Sequence, residues 1–455
     1  MATYDEKSKA AVLQPAVFDV DTRTGFLPAE VPLQRLPSGW FAWEFLLDEA
    51  IKKRLAPGDK VGLTSEEAAQ SARWRASACK MPLLATDPLL KDESPAVSRR
   101  AHLVLAFLLS FYIQTLPPTE PVLIPKSISI PVLQVSKAIG MPPVVTYADC
   151  VLYNWNAPNL EQPSSCSCPN SNEFSTFTVC SCAKLLSENI RCQSLFTGLG
   201  DEEFFYLTSA RIELRGVEAL DIMRCAMDEI FVNDTIAVTR ITNLLSRLSV
   251  VIGELKGLLM DCRKGCDPER YYNDVRPFFR GEDATHVERK WVFQGIEEYP
   301  DLLNSDVTKE LSGASAGQSS LIYALDVFLG VGDTRTSTFM AKMQKYMPRN
   351  HRLFLDHLSS NSRPLRPWVL ERQDGEKGKE LAEAYNKSVK ALKEFRDSHM
   401  IIASLYILGP ARRARDRLLN PQEEKATKGT GGTDLVKFLK GVRDQTAGTV
   451  VPITP

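Results

Sequence analysis

Hydrophobic residues recur every three or four positions through most of the chain, whereas strict alternation of polar and apolar residues is almost absent. The clearest stretch runs from Asn233 to about Cys262, where leucine, isoleucine and valine repeat at helical spacing. This spacing places the side chains on one face, so it predicts a long helix with a continuous buried stripe, capped by Asn233 or Asp234. The chain as a whole is predicted to be all-α.

Ten further segments show the same periodicity and are separated by breakers rich in proline and glycine. They are residues 40–55, 65–80, 97–115, 131–139, 203–228, 319–329, 336–346, 348–358, 376–408 and 434–443. A low-complexity stretch rich in serine and cysteine interrupts this pattern and is the best candidate for a domain boundary. We therefore expect a small helical domain at 1–157, a variable linker or insertion at 158–185 and a large helical domain at 186–455.

Charge is almost balanced, with 55 Lys plus Arg against 56 Asp plus Glu. A net charge of −1 gives no overall field toward nucleic acid or anionic lipid, so small molecules are the predicted partners. The amino terminus, MATYDEKSKA, lacks the apolar stretch of a secretory signal. The most apolar window, 103–116, is shorter than the roughly 18 residues that cross a bilayer, so it predicts a buried helix. We expect a cytoplasmic monomer.

Four of the ten cysteines form two Cys-Ser-Cys pairs, Cys166 with Cys168 and Cys180 with Cys182. Two such pairs could bind zinc if the segment folds. Their serine-rich setting has no apolar periodicity and favours a variable loop instead. The other six cysteines have no metal-type spacing and are predicted to be reduced thiols.

Only five histidines are present, so any site that needs an imidazole must use one of them. His351 falls on the apolar face of the segment 348–358, where a buried imidazole could bind a haem iron or simply be a satisfied core residue. His102 and His399 have equally apolar neighbours. Periodicity does not choose among these three.

Two loops of small residues precede helices, at 312–320 and 428–433. The first could lie against a flat ligand and the second could bind a carboxylate through free N–H groups, although either could be a plain connector. Arg276 lies among aromatic residues in ERYYNDVRPFF. A guanidinium there needs an anion, supplied by a nearby acidic side chain or by the carboxylate of an aromatic amino acid.

Six segments, taken together and in order, resemble the indoleamine 2,3-dioxygenase family in its fungal form. They are IPVLQVSKAIGMPPVVTYADCVLYNW, EEFFYLTSARIELRG, DVRPFFRG, SGASAGQSSLIYALDVFLGV, YMPRNHRLFLDHL and KGTGGTDLVKFLKGVRDQT. The resemblance implies one haem b per chain and a dioxygenase that inserts both oxygen atoms into the indole ring of L-tryptophan. The product would be N-formylkynurenine, in the first step of tryptophan breakdown by the kynurenine route toward NAD.

The resemblance also assigns roles to individual residues. It implies that His351 is the proximal iron ligand, that Asp326 is the carboxylate near that ligand, and that Arg276 holds the substrate carboxylate. The distal pocket and the loops around it are implied at Tyr147, Cys150, Phe204, Thr208, Tyr271, Tyr272, Gly313, Ala314, Ser315, Ala316 and Thr430. An electron donor is expected as a further partner.

Two departures bear on the substrate. Tyr271 and Tyr272 stand where the animal enzymes have a Phe pair, and Thr208 stands where they have Ser, so extra hydroxyl groups predict a changed substrate preference. An oxygen-binding haem protein without catalysis, or a helical scaffold without cofactor, are the alternatives. Arg276 favours the enzyme, because an oxygen carrier needs no substrate clamp.

Overall fold

The computed structural model describes residues 15–91, 94–158, 187–284, 289–332, 338–361, 363–417 and 435–453. Helices dominate this part of the chain, so the predicted all-α class is confirmed. They are α1 Phe41–Lys52, α2 Ser65–Lys80, α3 Asp87–Lys91, α4 Pro95–Gln114, α5 Lys126–Ile139, α6 Gly200–Arg215, α7 Val217–Val232, α8 Ala237–Asp261, α9 Pro268–Arg270, α10 Pro300–Leu303, α11 Ser320–Leu329, α12 Thr338–Gln344, α13 Arg349–Ser359, α14 Leu365–Leu370, α15 Gly375–Ala403, α16 Gly409–Arg417 and α17 Leu435–Ala447.

The described strands are short and form two separate pairs. Strand β1 (Val122–Ile124) pairs in parallel with β4 (Trp291–Phe293). Strand β2 (Trp155–Asn156) pairs antiparallel with β3 (Arg191–Cys192). Each pair joins segments that are distant in sequence, so the strands tie the helical layers together without forming a layer of their own.

Local chemistry explains where the predicted helices begin and end. Helix α2 has its predicted bounds because Thr64 and Glu67 form a reciprocal capping box at its start. The predicted helix 203–228 is two helices that meet at Gly216, where an added Cβ would approach Leu321 to 2.2 Å. The predicted cap of α8 is wrong at Asn233: this residue has φ 51° and ends α7.

Two hydrophobic cores support the fold. One surrounds α4, and the other lies along α8 and α15, which pack against each other over much of their length. The first core joins residues from both sides of the segment 158–185. Phe196, for example, stacks on Phe107 with ring centroids 4.1 Å apart and on Phe278 at 4.8 Å. The domain bounds given above stay a prediction.

Helix α4 is long and apolar enough to cross a membrane by length and composition alone. Within its most apolar window, 83% of the residues are buried inside the protein. The prediction of a buried helix here is therefore confirmed by its packing.

Candidate active site

Three π-helical turns mark the candidate site: Ala148–Leu152, Tyr271–Val275 and Ser404–Leu408. A π-turn adds a residue to a helical turn and re-aims the following side chains, and such turns occur often at functional sites. The first two pack against α6, and the last two pack against each other. The fold thus brings together three sequence-distant turns around one helix.

Aromatic side chains from the second and third of these turns, from α6 and from the segment after the second turn form a continuous wall. The ring of Tyr271 lies 4.4 Å from that of Phe205, 5.7 Å from that of Tyr406 and 6.3 Å from that of Phe279, measured between centroids. Edge-to-face and tilted contacts of this kind hold rings in fixed orientations. The wall is a suitable surface for a flat aromatic ligand.

Arg276 directly follows the second π-turn and is buried. Its guanidinium carbon lies 5.3 Å from the ring centroid of Tyr272, a cation–π distance. Burial lowers the pKa of Arg276, because the charged form loses hydration. The structure therefore places a buried positive charge next to the aromatic wall, as the sequence predicted.

Tyr147 joins the first π-turn to α6. Its hydroxyl donates to Glu213 Oε1 at 2.8 Å, and the Ser319 hydroxyl donates to the same oxygen at 2.7 Å. Burial raises the pKa of Glu213 to about 7, although these two bonds oppose the shift. Glu213 is thus a buried carboxyl group that the sequence reasoning missed.

The loop 312–319 is held by close packing. A Cβ on Gly313 would lie 1.7 Å from the Phe279 carbonyl oxygen, so only glycine fits there. Ser315 accepts a bond from the Gly317 N–H at 3.2 Å, Ala314 is half-buried and Ala316 is exposed. The small residues in this loop allow its backbone to lie close to the backbone of Phe279.

Asp326 forms a buried ion pair with Arg396. Both carboxylate oxygens accept from Arg396 Nη2, at 2.5 and 2.6 Å, and Asp326 is fully buried. Burial raises the pKa of Asp326, although the guanidinium opposes the shift. This pair joins α11 to α15, so the carboxylate predicted to lie near the iron ligand is bound to the helix that carries His399.

His399 lies one helical turn after Arg396. Its side chain is only partly buried, yet burial lowers its pKa to about 4. Seven residues further on, Tyr406 belongs to the aromatic wall.

His351 has different surroundings. It is 1% exposed, its ring packs edge-on against Phe26 at 4.9 Å, and its Nδ1 lies 3.4 Å from the Ser320 hydroxyl. The Asp19 backbone also hydrogen-bonds the ring, and burial lowers the His351 pKa to about 3. Protein groups therefore surround this imidazole, which is the environment of a satisfied core histidine.

The site residues on α6 differ from the prediction by one position. Phe204 packs against Gly265, below the Arg211 guanidinium at 5.8 Å, and Thr208 donates to the Phe204 carbonyl. Phe205 is the residue in the aromatic wall. The spacing of Phe205, Ser209 and Glu213 at i, i+4 and i+8 was the available signal for this face.

Of the remaining predicted site residues, one lies within the described part of the chain and one lies outside it. Cys150 is buried, with a pKa raised by burial and a hydrogen bond to Tyr206, a ring packed next to the aromatic wall. Thr430, with the loop 428–433, and the two Cys-Ser-Cys pairs lie outside the described residues.

Comparison with known proteins covers nearly the whole chain. The family model described as indoleamine 2,3-dioxygenase matches residues 14–449. An indoleamine 2,3-dioxygenase of Aspergillus candidus is 32% identical over 96% of this chain and 97% of its own length. Indoleamine 2,3-dioxygenase 1 of Rattus norvegicus is 27% identical over 94% of each chain. A 6-hydroxytryptophan 2,3-dioxygenase of Fusarium equiseti is 28% identical over 94% of this chain and 95% of its own.

The lowered pKa of His351 predicts that the free energy of unfolding changes with pH. Its pKa is about 3 in the folded chain against an ordinary value of 6.5, so the unfolded chain takes up the proton first. The contribution of the neutral, buried imidazole to the free energy of unfolding is fully present above about pH 6.5. It is lost on acidification toward about pH 3, by about 1.4 kcal/mol per pH unit. His351→Leu should flatten this decline in urea unfolding of the haem-free protein. Parallel curves for variant and wild type would contradict a buried neutral imidazole.

Proposed function

Because the chain belongs to the indoleamine 2,3-dioxygenase family, and so is a haem-dependent dioxygenase of indole amino acids, we propose that its substrate is L-tryptophan or a close relative. The C2–C3 bond of the indole and the O–O bond of dioxygen both break, and each of the two carbons receives one oxygen atom, giving N-formylkynurenine from tryptophan. The observation that carries the proposal is the buried Arg276 beside the aromatic wall. A charge and a flat surface side by side match the two ends of an aromatic amino acid.

We propose His399, in place of His351, as the iron ligand of one haem b per chain. Three observations support this choice: the partly buried side chain of His399, its position one turn after Arg396, and the pairing of Arg396 with Asp326. A carboxylate near the ligand suits a haem site, because nearby charge tunes ligand basicity. His351, by contrast, is enclosed by protein, since Phe26 and Ser320 contact its ring.

The haem, when bound, supplies the activation of dioxygen. The chain's own residues supply the positioning. Arg276 binds the substrate carboxylate, and the rings of Phe205 and Tyr271 fix the orientation of the indole. Holding the reacting bond in one place converts an encounter into an intramolecular step, which is a large part of many rate enhancements.

A ring-hydroxylated tryptophan is the second candidate substrate. Tyr271 and Tyr206 bring phenol groups to the wall, and a similar protein is named for 6-hydroxytryptophan. A hydroxyl on the indole would have polar partners there. We further propose that the protein works as a cytoplasmic monomer served by an electron donor that keeps the iron reduced.

Product formation tests the function directly. Purified, haem-loaded and reduced protein should convert L-tryptophan and oxygen to N-formylkynurenine, identified by mass and absorbance, with 6-hydroxytryptophan run in parallel. A full haem spectrum without any product from either substrate would favour the alternative, an oxygen-binding haem protein of the same fold.

Two histidine variants test the iron ligand. We expect His399→Ala to lose tight haem binding and the Soret band, because the proposed iron ligand is removed. His351→Ala should keep the Soret band and lose only stability, since it opens a cavity in a packed core. The reverse pattern would return the ligand role to His351.

Arg276→Ala should raise KM strongly while haem binding is retained, because the substrate carboxylate loses its charged partner. We expect kcat/KM to fall by about tenfold to several hundredfold. Arg276→Lys keeps the charge without the fork and should recover only part of the loss. Arg270→Ala, an exposed arginine of the same segment, is the matched control. Unchanged kinetics in Arg276→Ala would exclude the carboxylate role.

A further inference from the structure

His102, on the buried helix α4, holds two acceptors at once. Its Nδ1 lies 2.7 Å from Asp149 Oδ1, and its Nε2 lies 3.0 Å from the Pro142 carbonyl oxygen. A neutral imidazole has one donor and one acceptor, and a carbonyl oxygen only accepts. Two protons are therefore required for both contacts: either both are on the ring, or one is on Asp149.

Asp149 is also bound by Thr146. Its second oxygen, Oδ2, accepts from the Thr146 N–H at 2.9 Å and from the Thr146 hydroxyl at 2.7 Å. Bonds donated to a carboxylate stabilise the anion. Asp149 is fully buried and His102 is 1% exposed, so each charge needs the other. The pair is thus an imidazolium and a carboxylate inside the core.

Asp149 belongs to the first π-turn, so the pair joins α4 to the turn beside the candidate site. Tyr147 lies between Thr146 and Asp149, and its N–H donates to Gln318 Oε1 at 2.8 Å. Gln318 Nε2 in turn donates to the Gly313 carbonyl at 2.9 Å. A continuous series of hydrogen bonds therefore runs from α4 through the first π-turn to the loop 312–319.

We propose that His102 is a positioning residue for the dioxygenase reaction: clamped between Asp149 and the Pro142 carbonyl, it fixes the π-turn that presents Tyr147 and Cys150 to the substrate. The inference rests on the proposed function, and it gives a role to a buried histidine that binds no iron. Its effect should fall on the orientation of the bound ring, whereas Arg276 acts on the carboxylate. Loss of the clamp should therefore lower kcat more than it raises KM.

Nitrogen-15 NMR of histidine-labelled protein tests the charge state without any activity assay. At pH 8 an ordinary imidazole is neutral, and burial lowers the pKa of both His351 and His399. We expect one doubly protonated imidazole, which disappears in His102→Gln. A spectrum with only neutral rings would overturn the clamp as drawn.

Kinetics and hydrogen exchange test the positioning role. His102→Gln in the haem-loaded enzyme should lower kcat at least about fivefold, with KM changed less than about twofold and the Soret band retained. Amide exchange should speed up in segments 142–152 and 312–319. Arg100→Gln is the matched control, because it breaks another buried ion pair of α4, with Glu44 on α1. We expect it to reduce stability without either change.

A gentler variant keeps the test decisive if His102→Gln does not fold. Thr146→Val removes one bond to Asp149, leaves the imidazole in place, and should give the same pattern at smaller size. An active wild type with unchanged kcat and exchange in these variants would refute the positioning role alone. An inactive wild type would refute the proposed function, while the exchange data would still decide whether the clamp orders the loop.

Discussion

The account depends on one buried ion pair, Asp326 with Arg396. Two charges removed from water cost several kcal/mol each unless they compensate one another, so α11 and α15 are held in the register at which they meet. His399 lies one turn after Arg396 and takes its position from that register.

The aromatic wall of the candidate site is built largely by π-helical turns. Two of the three π-turns, Tyr271–Val275 and Ser404–Leu408, place an aromatic side chain in the wall, and the first, Ala148–Leu152, follows Tyr147. Hydrogen bonds from Tyr147 to Glu213 and Gln318 then tie the first turn to α6 and to the small-residue loop. Such a wall is rigid before any ligand arrives, which reduces the ordering that binding requires.

Periodicity predicted the helices well, because burying one face is the same requirement along the whole chain. It failed where a tertiary contact decides: Gly216 divides one predicted helix where Leu321 approaches, and Asn233 ends a helix instead of starting the next. The burial of Arg276 beside aromatic rings was predictable from its sequence neighbours, and its carboxylate role stays a proposal. Sequence neighbours do not choose between His351 and His399, since both are apolar in setting and differ in what packs against the ring.

The central claim is that the haem iron bonds to His399 on the side of the protein that the Asp326–Arg396 pair fixes. The most direct measurement is a crystal structure of the haem-loaded protein with an indole amino acid bound. The account predicts electron density for iron bonded to a ring nitrogen of His399, with the ligand carboxylate against Arg276. Iron bonded to His351, or a porphyrin bound away from both, would contradict it.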